Sequence, residues 1–140
     1  MRFIADAMLG KMGRWLRMLG YDTIICNNKI SDDEIERIAK KEGRIILSRD
    51  KHIHGYYVES DDFKEQLRQV FKEFNLKARF PEASRCSNCN GRLIKVKREE
   101  VNVPPSVKSE VFFQCENCGQ VYWKGSHWKR IKEVIDYISS

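Results

Sequence analysis

Arg2-Phe3-Ile4-Ala5-Asp6 and Arg44-Ile45-Ile46-Leu47-Ser48-Arg49-Asp50 share one pattern: a short apolar run with an acid just past its end. Such runs suit strands buried on both faces, the kind found in parallel sheets. Between them the period changes. Met8, Met12, Trp15, Leu16 and Leu19 recur at helical spacing, and Gly20 supplies a stop. Tyr21 to Cys26, centred on Ile24 and Ile25, returns to strand character. Ser31 or Asp32 then caps a helix whose buried stripe is Ile35, Ile38 and Ala39, ended by Gly43. Strand, helix, strand, helix, strand predicts an α/β fold with a mainly parallel sheet.

Further along, Gly55 to Val58 reads as a fourth strand, and Asp61 or Asp62 caps a helix with Phe63, Leu67, Val70, Phe71 and Phe74 on one face. Asn75 to Ser84, with Pro81, reads as a link. Beyond it stand two knuckles, Cys86-Ser87-Asn88-Cys89 and Cys115-Glu116-Asn117-Cys118, which use four of the five cysteines. Each knuckle presents two thiolates to one point, and together they satisfy a tetrahedral zinc ion. Disulfides or a redox pair are the alternatives, but redox motifs rarely come as two matched knuckles. Four cysteines leave no open position, so the expected zinc is structural. Gly91 and Gly119 follow the knuckles closely and let backbone amides approach the sulfurs. Arg92 to Lys97 and Glu110 to Gln114 are expected strands of this ribbon, with a turn-rich stretch around Pro104 and Pro105. A last helix, Ser126 to Ile138, carries Trp128, Ile131, Val134, Ile135 and Ile138 on one face, a stripe suited to packing back on the first layer. The expected division is residues 1–80 for the α/β domain and 81–140 for the zinc ribbon with its C-terminal helix.

Lysine and arginine number 26 against 20 acids, a net charge of +6 that suits a polyanionic partner. No apolar run approaches the ~20 residues needed to cross a bilayer, so no membrane partner is expected. The basic, amphipathic stretch from Met1 to Leu19 has the look of a transit peptide, but Asp6 interrupts it and no small-residue cleavage site follows. It is read as part of the fold, in a reducing cytoplasmic setting where zinc thiolates survive.

Ligands of parallel α/β sheets bind beyond the carboxyl ends of the strands, where Asp6 and Asp50 stand. Asp32 and Asp33 begin a helix facing the same side if the crossovers are right-handed. Carboxylates gathered there repel one another unless a divalent cation neutralises them, and hard oxygen ligands suit Mg²⁺ or Mn²⁺. Asp32 equally serves as a helix cap, and Asp50 as a turn residue. Asp61 and Asp62 read as caps, His52 and His54 as surface residues, and Cys26 as a small buried residue. Arg14 and Arg17 fall on the polar side of the first helix, either to grip phosphate or to keep the helix soluble. Lys95 and Lys97 share a basic ribbon strand with Arg98. Lys124, Lys129 and Arg130 interleave with Tyr122, Trp123, His127 and Trp128, as cations and aromatics do on single-stranded nucleic-acid surfaces. Tyr122 and Trp123 serve equally to brace the zinc site.

Residues 3–22, the Gly43-to-Asp50 segment, the two knuckles and Tyr122 to Trp128, taken in that order, resemble the Mut-seven C-terminal ribonuclease family, a PIN-like nuclease domain with a zinc ribbon. The resemblance implies a Rossmann-like PIN fold and a metal-dependent ribonuclease; with the basic and aromatic ribbon residues, the leading expectation is an endoribonuclease acting on single-stranded RNA. It assigns Asp6, Asp32 and Asp50 as catalytic acids holding Mg²⁺ or Mn²⁺, with Asp61 or Asp62 the only nearby positions for a fourth. Two other functions remain open from the residues alone: a non-catalytic RNA-binding or ribosome-associated adaptor, and a DNA-directed nuclease.

Overall fold

Four short parallel strands form the centre of the computed structural model, which describes residues 1–140: β1 (Phe3–Ala5), β2 (Thr23–Ile25), β3 (Ile45–Ser48) and β4 (Tyr56–Tyr57), in the order β2-β1-β3-β4. Phe3, Ile4 and Ala5 are each fully buried. Alternation along β1 divides them between two cores. Phe3 and Ala5 face a large cluster with α1 (Gly10–Met18), α3 (Phe63–Glu73) and α4 (His127–Ser139); Ile4 faces a smaller one with Ile35 and Ala39 of α2 (Asp32–Glu42). The sheet is therefore covered on both faces, as its apolar strands require. α1 packs so close to β2 that a Cβ on Gly13 would lie 2.7 Å from Ile25 Cγ1, so only glycine permits this approach.

The expected α/β fold with a parallel sheet is present, with local differences. Asp6 caps a 3-10 turn at Ala7–Leu9 before α1 begins, and the turn leaves Met8 69% exposed instead of in the apolar stripe. Ser31 and Asp62 cap α2 and α3 through their side chains. The ribbon is a three-stranded antiparallel sheet, β5 (Leu93–Val96), β6 (Phe112–Cys115) and β7 (Val121–Trp123). β7 is a strand the sequence reading leaves out, although Val121, Tyr122 and Trp123 all favour strands; it pairs with β6, Phe113 opposite Tyr122. The Asn75-to-Ser84 link is packed: Arg79 N–H donates to Leu19 O at 2.9 Å, and Leu76, Ala78 and Phe80 lie against the main core. Ile131, Val134 and Ile138 carry α4 into the same core.

Arg17 departs most from expectation. It is 8% exposed, with Nε donating to Thr23 O at 2.8 Å and Nη1 to Ser87 O at 2.9 Å. Its place is between the first layer and the first knuckle, buried there with Nε and Nη1 on backbone oxygens, so it is not presented at the surface as a phosphate grip. Asp22 forms a second joint beside it. Its carboxylate accepts from Arg44 Nη1 at 2.8 Å and from Asn90 Nδ2 at 2.7 Å, and Asn90 Oδ1 accepts from Thr23 N–H at 3.1 Å. Burial alone would raise the Asp22 carboxyl, but the hydrogen bonds from Arg44 and Asn90, with the charges of Arg44 and Arg85, outweigh it and hold it below the usual range.

A group held low in the fold stabilises above its unfolded value, near 3.9, and that contribution is lost as pH falls through the folded value. Asp22→Asn should therefore cost about 1–3 kcal/mol at neutral pH. Its urea-unfolding midpoint should also fall less steeply than wild type below about pH 4. Parallel acid-side profiles for the two proteins would show that Asp22 does not carry this linkage.

Candidate functional site

Two assemblies carry chemistry. At the carboxyl edge of the parallel sheet, β1 and β3 lie side by side, and Asp6 N–H donates to Leu47 O at 3.1 Å. This register brings Asp6 against the Ser48-Arg49-Asp50 turn. Asp6 Oδ2 accepts from the Ser48 hydroxyl at 2.5 Å and from Arg49 N–H at 2.9 Å, while Oδ1 accepts from Met8 N–H at 2.9 Å. Ser48 in turn accepts from Asp50 N–H at 2.9 Å, and Asp50 Oδ1 accepts from His52 N–H at 2.9 Å. Ser48 is 1% exposed, so its hydroxyl is held as a fixed link between two half-buried acids. Counting lone pairs, Oδ1 of each acid keeps one acceptor position, and Asp50 Oδ2 makes no hydrogen bond within the protein.

Asp32 is placed differently. It is exposed in the first turn of α2, directly after the Ser31 cap, and its carboxylate does not join the other two in a close group. Cys26 lies beside the acids, its N–H donating to Ala5 O at 2.9 Å. Burial first, and then the charge of Asp6, push its thiol up, so it stays protonated and unreactive. His52 and His54 are exposed, and Asp62 is a helix cap.

The second assembly is the four-cysteine cluster. The sulfurs of Cys86, Cys89, Cys115 and Cys118 all lie within 4.8 Å of one another, with Cys86–Cys118 at 3.7 Å and Cys89–Cys115 at 3.4 Å. A zinc ion with Zn–S bonds of about 2.3 Å needs sulfurs roughly 3.8 Å apart, so the cluster can hold zinc with little adjustment. The surroundings are built for thiolates. Asn117 N–H and Cys118 N–H point at Cys115 Sγ from 3.4 and 3.5 Å, and Asn117 Nδ2 lies 3.5 Å from Cys89 Sγ. The Asn117 side chain foremost, with Cys115 and the Gly91 backbone, lowers the Cys89 thiol to about 6 against the opposing effect of burial. Tyr122 Oη sits 3.1 Å from Cys86 Sγ, against the cysteine cluster; burial and then that contact push the phenol up to about 12. Gly91 is required by space: a Cβ there would stand 2.5 Å from Cys115 Sγ and 3.2 Å from Cys89 Sγ.

Among the expected RNA-contacting cations, Arg14, Lys95, Lys97, Lys124, Lys129 and Arg130 are exposed, and Arg17 is not. Ser48 and Asn117 were not singled out individually by sequence reasoning. The Ser-x-Asp spacing carried a signal for the first, whereas the second shows only once the knuckles fold together. No helix is long and apolar enough to cross a membrane.

The Mut7-C RNAse domain family matches residues 1–135. Over an alignment of 111 positions that covers 70% of this chain, it is 30% identical to a protein of Homo sapiens called Exonuclease mut-7 homolog, of which it spans 13%. No solved structure matches.

The zinc assembly yields a direct expectation. Purified protein should carry one zinc by elemental analysis, and stripping it should lower the thermal transition and release the ribbon. Gly91→Ala should weaken zinc about 10- to 100-fold in a chelator competition, since it crowds two sulfurs while keeping all four. Unchanged affinity in that variant would mean the loop has room that the geometry denies it.

Proposed function

The chain belongs to the Mut7-C RNAse domain family, and from that membership we propose that it is a metal-dependent endoribonuclease, with a PIN-like, Rossmann-like catalytic layer at residues 1–80. Residues 81–140, the ribbon and α4, hold single-stranded RNA. The observation that carries this reading is the pairing of Asp6 and Asp50 through Ser48 at the carboxyl edge of adjacent parallel strands. Such an edge is where α/β folds place their chemistry.

Asp6 and Asp50 keep the open carboxylate positions, and Mg²⁺ or Mn²⁺ suits those hard oxygens. When bound, such an ion activates water and neutralises charge on the phosphate. Ser48 and Arg49 N–H fix the Asp6 carboxylate, so it does not have to be reorganised during reaction. Asp32, on the first turn of the helix that follows β2, is the third acid of the proposal. Arg14, Lys95, Lys97, Lys124, Lys129 and Arg130 are exposed cations for phosphate. Zinc thiolates fit a reducing, cytoplasmic setting.

One observation favours a second reading. Asp32 stands apart from the other two acids, so only the four cysteines form a tight ligand group. A non-catalytic RNA-binding adaptor needs no more than that.

Zinc-loaded protein incubated with labelled linear and circular single-stranded RNA, in Mn²⁺, Mg²⁺ or EDTA, separates the readings. Metal-dependent cutting of the circle establishes an endonuclease. Shortening of the linear strand alone indicates exonuclease action, the mode named for the human relative. Asp6→Asn and Asp50→Asn should each slow cleavage about a hundredfold or more while leaving the thermal transition nearly unchanged. Ser48→Ala should slow it by about 10- to 100-fold, because it frees the Asp6 carboxylate. Tight binding without cutting in every lane would assign the adaptor, and matched DNA in parallel tests the choice of sugar.

A further inference from the structure

A cavity of about 210 Å³ opens where the packed link, the ribbon sheet and α4 meet. We propose that it is a binding pocket for one unpaired nucleobase of the RNA strand, a step that rests on RNA being the substrate polymer. Its size falls below the ~300–1,000 Å³ of pockets for drug-sized ligands and suits a single planar ring system.

The walls are aromatic and rigid. Phe80 and Trp128 meet edge to face with ring centroids 4.8 Å apart, and Phe113 and Leu93 close the ribbon side. Every base has a π-face, so such walls hold a base by stacking whatever its identity. Polar groups are few. The Tyr122 hydroxyl is occupied by Cys86 and Ser87. The indole N–H groups of Trp123 and Trp128 and the ring nitrogens of His127 have no partner within the protein, and none is sealed from solvent. They remain free for the ring nitrogens and carbonyls of a base.

Charge chooses the occupant. No carboxylate lines the cavity, whereas Arg85 and His127 do. Lys124 Nζ stands 5.6 Å from the Trp128 ring centre, and Lys129 and Arg130 lie exposed on α4. A base that enters the cavity arrives on a phosphate chain, which these cations receive; an apolar side chain from a partner protein gains nothing from them. Position agrees with this. Met18 lines the cavity at one end of α1, and Asp6 stands before the other, roughly 18 Å away at 1.5 Å per residue. The exposed Arg14 lies on the helix between them. A strand anchored by one base reaches the acids a few nucleotides on.

The test uses zinc-loaded full-length protein carrying Asp6→Asn, which blocks cutting, and compares a short single-stranded RNA with an abasic chain of the same length. The abasic chain should bind about ten- to a hundredfold more weakly. Leu93→Trp, which fills the cavity, should bring the affinity for RNA down to that of the abasic chain. A readout without substitution at the cavity guards against misfolding: saturating adenosine monophosphate should quench the tryptophan emission of the parent protein. Equal affinity for RNA and abasic chain in the parent protein, or RNA binding untouched by a folded Leu93→Trp, overturns the proposal. The cavity would then be left to an apolar partner side chain. Cleavage enters neither readout, so a failed nuclease assay and a failed base discrimination are separate results.

Discussion

One buried guanidinium joins the two halves of this protein. Arg17 lies at the end of α1 with its charge almost removed from water, a costly placement unless every donor finds a partner. Nε and Nη1 close onto Thr23 O in the first layer and Ser87 O in the first knuckle, and the Arg17 carbonyl accepts from Arg85 N–H at 2.8 Å. Burial pulls its pKa down, and the nearby Cys86 and Cys89 pull it back up. Four thiolates around one zinc carry a net negative charge, so a zinc held by these cysteines would favour the cation beside it. α1 thereby becomes a strut: Asp6 caps the turn before it, and the zinc knuckle is fixed to its far end. The separation between acids and ribbon is then a property of one short helix.

The parts of this arrangement visible in the sequence are those set by local pattern. Phe3 to Asp6 and Ile45 to Asp50 announce buried strands with acids at their ends because burial and polarity change within a few residues. Ser31 or Asp32, and Asp61 or Asp62, announce caps for the same reason, with Ser31 and Asp62 taking the role in the fold, and the two CxxC spacings announce a metal site. Arg17 was not visible. It lies off the stripe of Met12, Trp15, Leu16 and Leu19, and the surface that buries it comes from Ser87 and Arg85, distant in sequence. Met8 fits the helical period yet faces solvent, because Asp6 caps a turn before the helix begins. β7 is made of strand-favouring residues but is only three residues long, and pairing with β6 fixes it. Long-range partners decide each of these, and a single sequence does not reveal them.

The acid edge shows how little chemistry the parallel layer has to add. Adjacent parallel strands in register deliver Asp6 and Asp50 to neighbouring positions, and a single hydroxyl, Ser48, orders them. Cys26 shares the neighbourhood without entering the chemistry. Its thiol is kept neutral by burial and by Asp6, so it offers neither a nucleophile nor a soft ligand to a metal at the acids. Soft and hard ligands are thus kept apart, thiolates in the ribbon and carboxylates at the sheet edge. That separation is what sites for a soft-ligand and a hard-ligand metal require.

The ribbon has almost no core of its own. From Pro81 to Gly125 only Cys86, Phe112 and Cys115 are buried, so Phe112 is the sole buried side chain there that is not a metal ligand. Three devices take the place of a core: the four-cysteine site, the joints at Arg17 and Asp22, and Arg98. The last lies over the Phe112 ring and donates to Val107 O at 2.6 Å and Ser109 O at 3.3 Å, which gathers the long loop between β5 and β6. Arg98 is thereby withdrawn from the basic strand that the sequence suggests, leaving Lys95 and Lys97 as its outward charges. The aromatic residues near α4 gain their meaning from the same shortage. With so little apolar surface available to bury, Phe113, Trp123 and Trp128 are left around an open cavity, while Ile131, Val134 and Ile138 return to the main core. The ribbon thus relies on its four-cysteine site and its buried or half-buried arginines where a larger domain would rely on a core, and its aromatic groups stay only partly covered.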